Sequence, residues 1–156
     1  MKRTLLTCIA LGALAAAALS LSAAAASPTS AKLLIRHDMK GCHSWSLNGG
    51  TFQASQTLQL KPGGSVLITN TDMMPHFLIK LSGGAVTMKL VDPGNVTIGK
   101  IKPPYAAGVM PHMSSMLTVT FPKAGVYTFR TKTGADYMKL KTIGPDNRLT
   151  LKVVVG

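Results

Sequence analysis

Period-two alternation of apolar and polar residues runs through the chain from residue 57 onward, and it predicts short strands separated by tight turns. Leu58 and Leu60 alternate with Thr57, Gln59 and Lys61, Pro62-Gly63-Gly64 turns the chain, and residues 66–69 resume as a strand. Leu117, Val119 and Phe121 alternate with Thr118 and Thr120; residues 122–125 turn, and Tyr127 and Phe129 continue inward against Thr128 and Arg130. Leu149, Leu151, Val153 and Val155 close the pattern. Residues 83–116, rich in Gly, Pro and Met, lack clear periodicity and read as a long excursion of loops with a short strand. The pattern specifies an all-β sandwich with no internal repeat and no second domain.

Following strand direction through the turns decides which loops meet. With Pro62-Gly63 at the bottom, residues 66–69 rise and the segment from Asn70 to His76 lies at the top. A bottom turn at Lys123-Ala124-Gly125 makes the preceding strand descend, so Met110-Pro111-His112-Met113 also lies at the top, and His76 and His112 converge. An ascending strand over 31–36 and a descending one over 52–60 would bring the connection 37–50, with His37, Met39, Cys42 and His43, to the same end. Alternatively, Asn48-Gly49-Gly50 makes a tight hairpin and leaves Cys42 partway down a strand.

The N-terminus does not share this pattern. Lys2 and Arg3 precede a mostly apolar run from Leu5 to Leu21, and small residues occupy 22–26, so residues 1–26 read as a cleaved secretory signal and 27–156 as one mature domain. A membrane anchor is the competing reading, and the Ala-rich ending favours cleavage. Cys8 is poorly placed for a lipid anchor. No second apolar run is long enough to cross a bilayer, so the expected product is exported, periplasmic or extracellular, without stable membrane insertion.

The mature chain carries 15 Lys and Arg against 5 Asp and no Glu. The basic residues are scattered and few aromatics lie among them, which argues against nucleic acid and for an acidic protein partner or anionic surface, unless the charge serves only solvation. Without Glu there are no paired carboxylates of the hydrolytic kind, no Gly-x-Ser-x-Gly elbow occurs, and no Gly-rich loop leads into a helix, so an enzyme is not expected.

Signal removal leaves a single cysteine, Cys42. In an oxidising compartment a lone thiol calls for burial, an intermolecular disulfide or a metal.

The segment Leu60-Lys61-Pro62-Gly63-Gly64-Ser65-Val66-Leu67-Ile68-Thr69-Asn70-Thr71-Asp72, continued through Pro75-His76, resembles the cupredoxin pattern of a Gly-led strand, an Asn-containing turn and a first copper-binding His. Phe121-Pro122-Lys123-Ala124-Gly125-Val126-Tyr127-Thr128-Phe129 is similar to the penultimate hairpin of that family. The resemblance implies a Greek-key cupredoxin-like β-sandwich with a copper site at its upper end. The chain also departs from the pattern. The strand after the hairpin should deliver a Cys and then a His, whereas its inward phase falls on Thr131, followed by Lys132, Thr133 and Gly134, with Met138 the only ligand type in that loop. A blue-copper centre built from those positions is excluded by the residues present.

What remains is a redistributed donor set: Cys42, His43, His76, His112 and Met113, with His37, Met39, Met74 and Met138 as additional candidates. Thiolate, imidazole and thioether suit copper, Cu(I) above all, while zinc stays open through Cys and His. Each candidate has a plainer role. Cys42 can pack beside Trp45, His76 can hydrogen-bond backbone, Met39, Met74 and the methionines around His112 can fill gaps, and Asp72 can cap the turn. The expectation is therefore an exported copper-binding protein in copper handling or electron transfer, leaning to the carrier role because a long Met-bearing loop fixes geometry poorly. A metal-free module for an acidic partner and a redox-active surface thiol are the contrasting expectations.

Overall fold

The computed structural model describes residues 26–37, 43–91, 95–97, 101–132 and 149–156. The described chain forms eleven strands: β1 (Ser30–His37), β2 (His43–Leu47), β3 (Phe52–Gln53), β4 (Ser55–Leu60), β5 (Ser65–Asn70), β6 (His76–Ser82), β7 (Thr87–Leu90), β8 (Val109–Met110), β9 (Met116–Thr120), β10 (Gly125–Lys132) and β11 (Thr150–Val155). They build two sheets, one ordered β3-β2-β1-β5-β9-β7 and the other β4-β11-β10-β6-β8. Most pairs are antiparallel, but β1 lies parallel to β5 and β4 parallel to β11, so the chain crosses between sheets rather than meandering. Among the described residues no helix is long and apolar enough to cross a membrane.

Alternation along each strand sets the core. In β1, Ala31, Leu33 and Ile35 are buried between exposed Lys32, Leu34 and Arg36, and in β11 the buried set is Leu151, Val153 and Val155. Burying each such side chain contributes about 1.5–3 kcal/mol, and the strand period of two puts all of them on one face. The interior centres on Trp45, Phe121, Tyr127 and Phe129, with Phe121 edge-on to Tyr127 at 5.1 Å and to Phe129 at 6.0 Å.

The elements predicted over 57–60, 66–69, 117–121, 127–129 and 149–155 are present. Two differ. Residues 37–50 are not one connection at the top: His43–Leu47 is a strand, β2, paired antiparallel with β1 so that His37 faces His43 in register. The hairpin at Asn48-Gly49-Gly50 is observed, joining β2 to β3, while the expected place of Cys42 on a strand lies outside the described residues. Asn48 and Gly49 take φ of 50° and 78°, which suits Asn and Gly, and the Gly50 amide donates to the Leu47 carbonyl at 2.8 Å. The strand expected over 52–60 is divided at Ala54, with β3 in one sheet and β4 in the other. Among the described residues of 83–116 there are two short strands, β7 and β8, where one was expected.

Thr131 confirms the strand phase that removes the thiolate from its usual place. It is fully buried on the inward face of β10, and its hydroxyl oxygen accepts from the Leu149 amide at 3.2 Å while its own amide donates to the Leu149 carbonyl at 2.8 Å.

Candidate metal centre

Asn70 ends β5 with no exposed surface, and every polar group it has is used. Its amide donates to the Ser115 carbonyl at 3.0 Å and its carbonyl accepts from the Ser114 amide at 2.7 Å. The side-chain Nδ2 donates to the Met74 carbonyl at 2.8 Å and to the His112 carbonyl at 3.2 Å, while Oδ1 accepts from the Asp72 amide at 2.9 Å. One residue therefore ties the loop before His76 to the loop carrying His112. Ser115 strengthens the second loop, since its hydroxyl donates to the same His112 carbonyl at 2.6 Å.

Asp72 caps the turn as the sequence suggests, and it does more. Oδ1 accepts from the Met74 amide at 3.1 Å, and Oδ2 lies 3.2 Å from Nε2 of His76, with both side chains nearly or fully buried. A carboxylate only accepts, so Nε2 of His76 carries the proton and the lone pair of the neutral ring resides on Nδ1. His76 opens β6 opposite Met110 of β8, and both are fully buried. Two residues beyond Met110, the Nδ1 of His112 sits 2.6 Å from the Met113 carbonyl. That carbonyl also only accepts, so the proton of His112 is on Nδ1 and its lone pair is on Nε2, a buried atom with no hydrogen-bond partner among the described residues. Both imidazoles are thus oriented through one ring nitrogen, as metal-binding histidines are.

His76 and His112 are thus brought to one pole by two linked loops, as strand direction implied. The other candidates divide. His37 is exposed at the end of β1 and, with Thr71, Asp72, Met73 and Met74, lines a hollow of about 360 Å³. Met74 is half-buried, whereas the Met113 side chain is 52% exposed, so its thioether is not packed at the pole. His43 is placed by its backbone at the start of β2. Cys42, Met39 and Met138 lie outside the described residues, as does nearly all of the expected signal segment. Among the described residues no group of three or more His, Cys or Asp side chains is gathered to hold a metal ion. Imidazole is a donor type that suits a soft or borderline metal, and a further donor would be needed to complete such a site.

Sequence reasoning read Asn70 only as part of a turn and did not single out Ser115. Their part rests on contacts between segments about 40 residues apart, and the one local signal was a short run of turn-forming polar residues, Asn70-Thr71-Asp72.

No family model and no curated protein matches the chain. Solved structures resemble it weakly. A methionine-to-alanine variant of amicyanin in its Cu(I) form is 18% identical with a TM-score of 0.37, covering 79% of this chain and 80% of that one. A purple cupredoxin from Nitrosopumilus maritimus is 16% identical with a TM-score of 0.38, covering 80% and 98%. Amicyanin from Paracoccus versutus is 15% identical with a TM-score of 0.36, covering 79% of each. Likeness at this level says nothing about the pole where the histidines meet. The strand order, with its two parallel pairs across an otherwise antiparallel sandwich, carries the conclusion: the chain folds as a cupredoxin-like Greek-key β-sandwich.

Proposed function

We infer that this protein is an exported copper-binding protein whose metal is held by Nδ1 of His76 and Nε2 of His112, with the Cys42 thiolate as third donor. The observation that carries the reading is the pair of imidazoles on two linked loops at one pole, each with one ring nitrogen held by an acceptor, and the buried Nε2 of His112 with no hydrogen-bond partner among the described residues. Asp72 and the Met113 carbonyl fix the rings, and Asn70 fixes the distance between their loops. Bound copper would supply a Cu(I)/Cu(II) couple or a transferable soft cation. The exposed Met113 thioether favours the second use, because a donor not packed in place exchanges more readily than it fixes geometry.

The chain's part in copper handling is to present neutral nitrogen donors in a rigid frame and to approach an acidic partner through its basic surface, the whole sequence carrying a formal charge of +12. The test is metal content and the visible spectrum of the tag-free protein loaded with Cu(II) and Cu(I), for wild type, His112→Ala and Cys42→Ser. Stoichiometric copper lost in His112→Ala, with a thiolate-to-copper band that vanishes in Cys42→Ser, is the expected result. Failure to retain copper in either oxidation state overturns the reading and leaves a metal-free interaction module.

A further inference from the structure

The hollow beside the buried pair has donors of its own. Thr71 is pinned against the end of β1, its amide and hydroxyl both donating to the Ile35 carbonyl, at 2.8 and 2.6 Å. These two hydrogen bonds set the loop 71–74 alongside His37, two residues further along β1. The loop backbone is held by Asn70 and Asp72, so Met73 and Met74 are presented by a fixed turn rather than a loose one. Met73 is nevertheless 81% exposed, and its side chain gains little from packing. Thr71 spends its hydroxyl on Ile35, and Asp72 directs its oxygens to Met74 and His76. The residues lining the hollow whose side chains carry a soft or borderline donor are His37, Met73 and Met74.

We propose that this hollow is a surface site for a soft monovalent cation, Cu(I) in nature, bound by His37, Met73 and Met74. Two thioethers and one imidazole discriminate against magnesium and calcium, which take oxygen donors, and favour a soft d¹⁰ cation. The site is separate from the buried pair, with the Asp72 carboxylate between them: one of its oxygens meets His76 and the residue also lines the hollow. The assignment stands whether or not the buried pair holds copper.

The test uses Ag(I), a redox-inert stand-in, titrated into the full chain carrying ¹³C-methyl methionine, with signals assigned by single Met→Leu variants. Shifts of the Met73 and Met74 methyl signals that saturate together, persist in His112→Ala, and are weakened in His37→Gln are the expected result. Unmoved Met73 and Met74 signals overturn the proposal, whatever the His76 and His112 ring signals do in the same titration. Shifts at Met73 and Met74 abolished by His112→Ala also overturn it, because the hollow would then be an extension of the buried site.

Discussion

Asp72 shows how much one side chain can decide about its neighbour. Replacing it by Asn keeps an oxygen for the Met74 amide but turns an NH₂ group toward Nε2 of His76. A donor there requires Nε2 to accept, so the ring proton moves to Nδ1 and blocks the nitrogen proposed to bind metal. Asp72→Asn is therefore expected to weaken Cu(I) binding roughly 10–100-fold, the usual cost of disturbing a partner of a ligating histidine. The fold should survive with a change of about 1 kcal/mol or less, since the turn bond is retained. Competition against a chromophoric Cu(I) chelator, with urea unfolding of the same samples, separates the two effects. That His76 is a candidate donor was legible from its place after Asn70-Thr71-Asp72. Which of its nitrogens keeps the lone pair was not, because that depends on a contact made only once the turn has formed.

At the scale of elements, the His112 loop depends on a two-residue strand. Strand β8 pairs with β6 through His76↔Met110 and Phe77↔Val109, and the pairing begins with the Leu78 amide donating to the Gly108 carbonyl at 2.8 Å. Gly108 has a φ of 86°, and a Cβ there would fall on the Leu78 carbonyl oxygen. Gly108→Ala is expected to cost more than about 1 kcal/mol, because both the backbone conformation and the space exclude a side chain. It should also weaken metal binding by loosening His112 while leaving distant strands intact. Amide hydrogen exchange is the check: lost protection confined to β6 and β8 fits this account, and uniform loss does not. The sequence implied a short strand somewhere in 83–116 but could not place β8, because two residues carry no periodicity. Strand β2 entered the sequence reading only through the hairpin alternative, although Ser44, Trp45, Ser46 and Leu47 alternate in polarity, because a run of five residues is short and its two serines are buried together with Trp45.

The whole molecule rests on one aromatic centre shared by both sheets. Phe121 follows β9 in one sheet and makes edge contacts with Tyr127 and Phe129 of β10 in the other. Phe121→Ala should destabilise the protein by about 3–5 kcal/mol, a large share of a typical margin of about 5–15 kcal/mol. Urea unfolding monitored by Trp45 fluorescence measures it, and a loss under about 1 kcal/mol would mean that the sheets are held mainly elsewhere.

Alternation of apolar and polar residues was enough to determine the all-β class, most strands and their inward faces, because side-chain direction in a strand repeats every two residues. Strand direction through the turns was enough to send His76 and His112 to one pole. The sequence also determined that Thr131 stands where a thiolate would be expected, an identity no folding can change. Sheet membership, the division of 52–60 at Ala54, the pairing of His37 with His43, and the clamp of Asn70 on the His112 loop were decided only in three dimensions. Most depend on hydrogen bonds between segments far apart in the chain, of which local pattern carries no record, and the His37–His43 pairing depends on a register that alternation alone does not set.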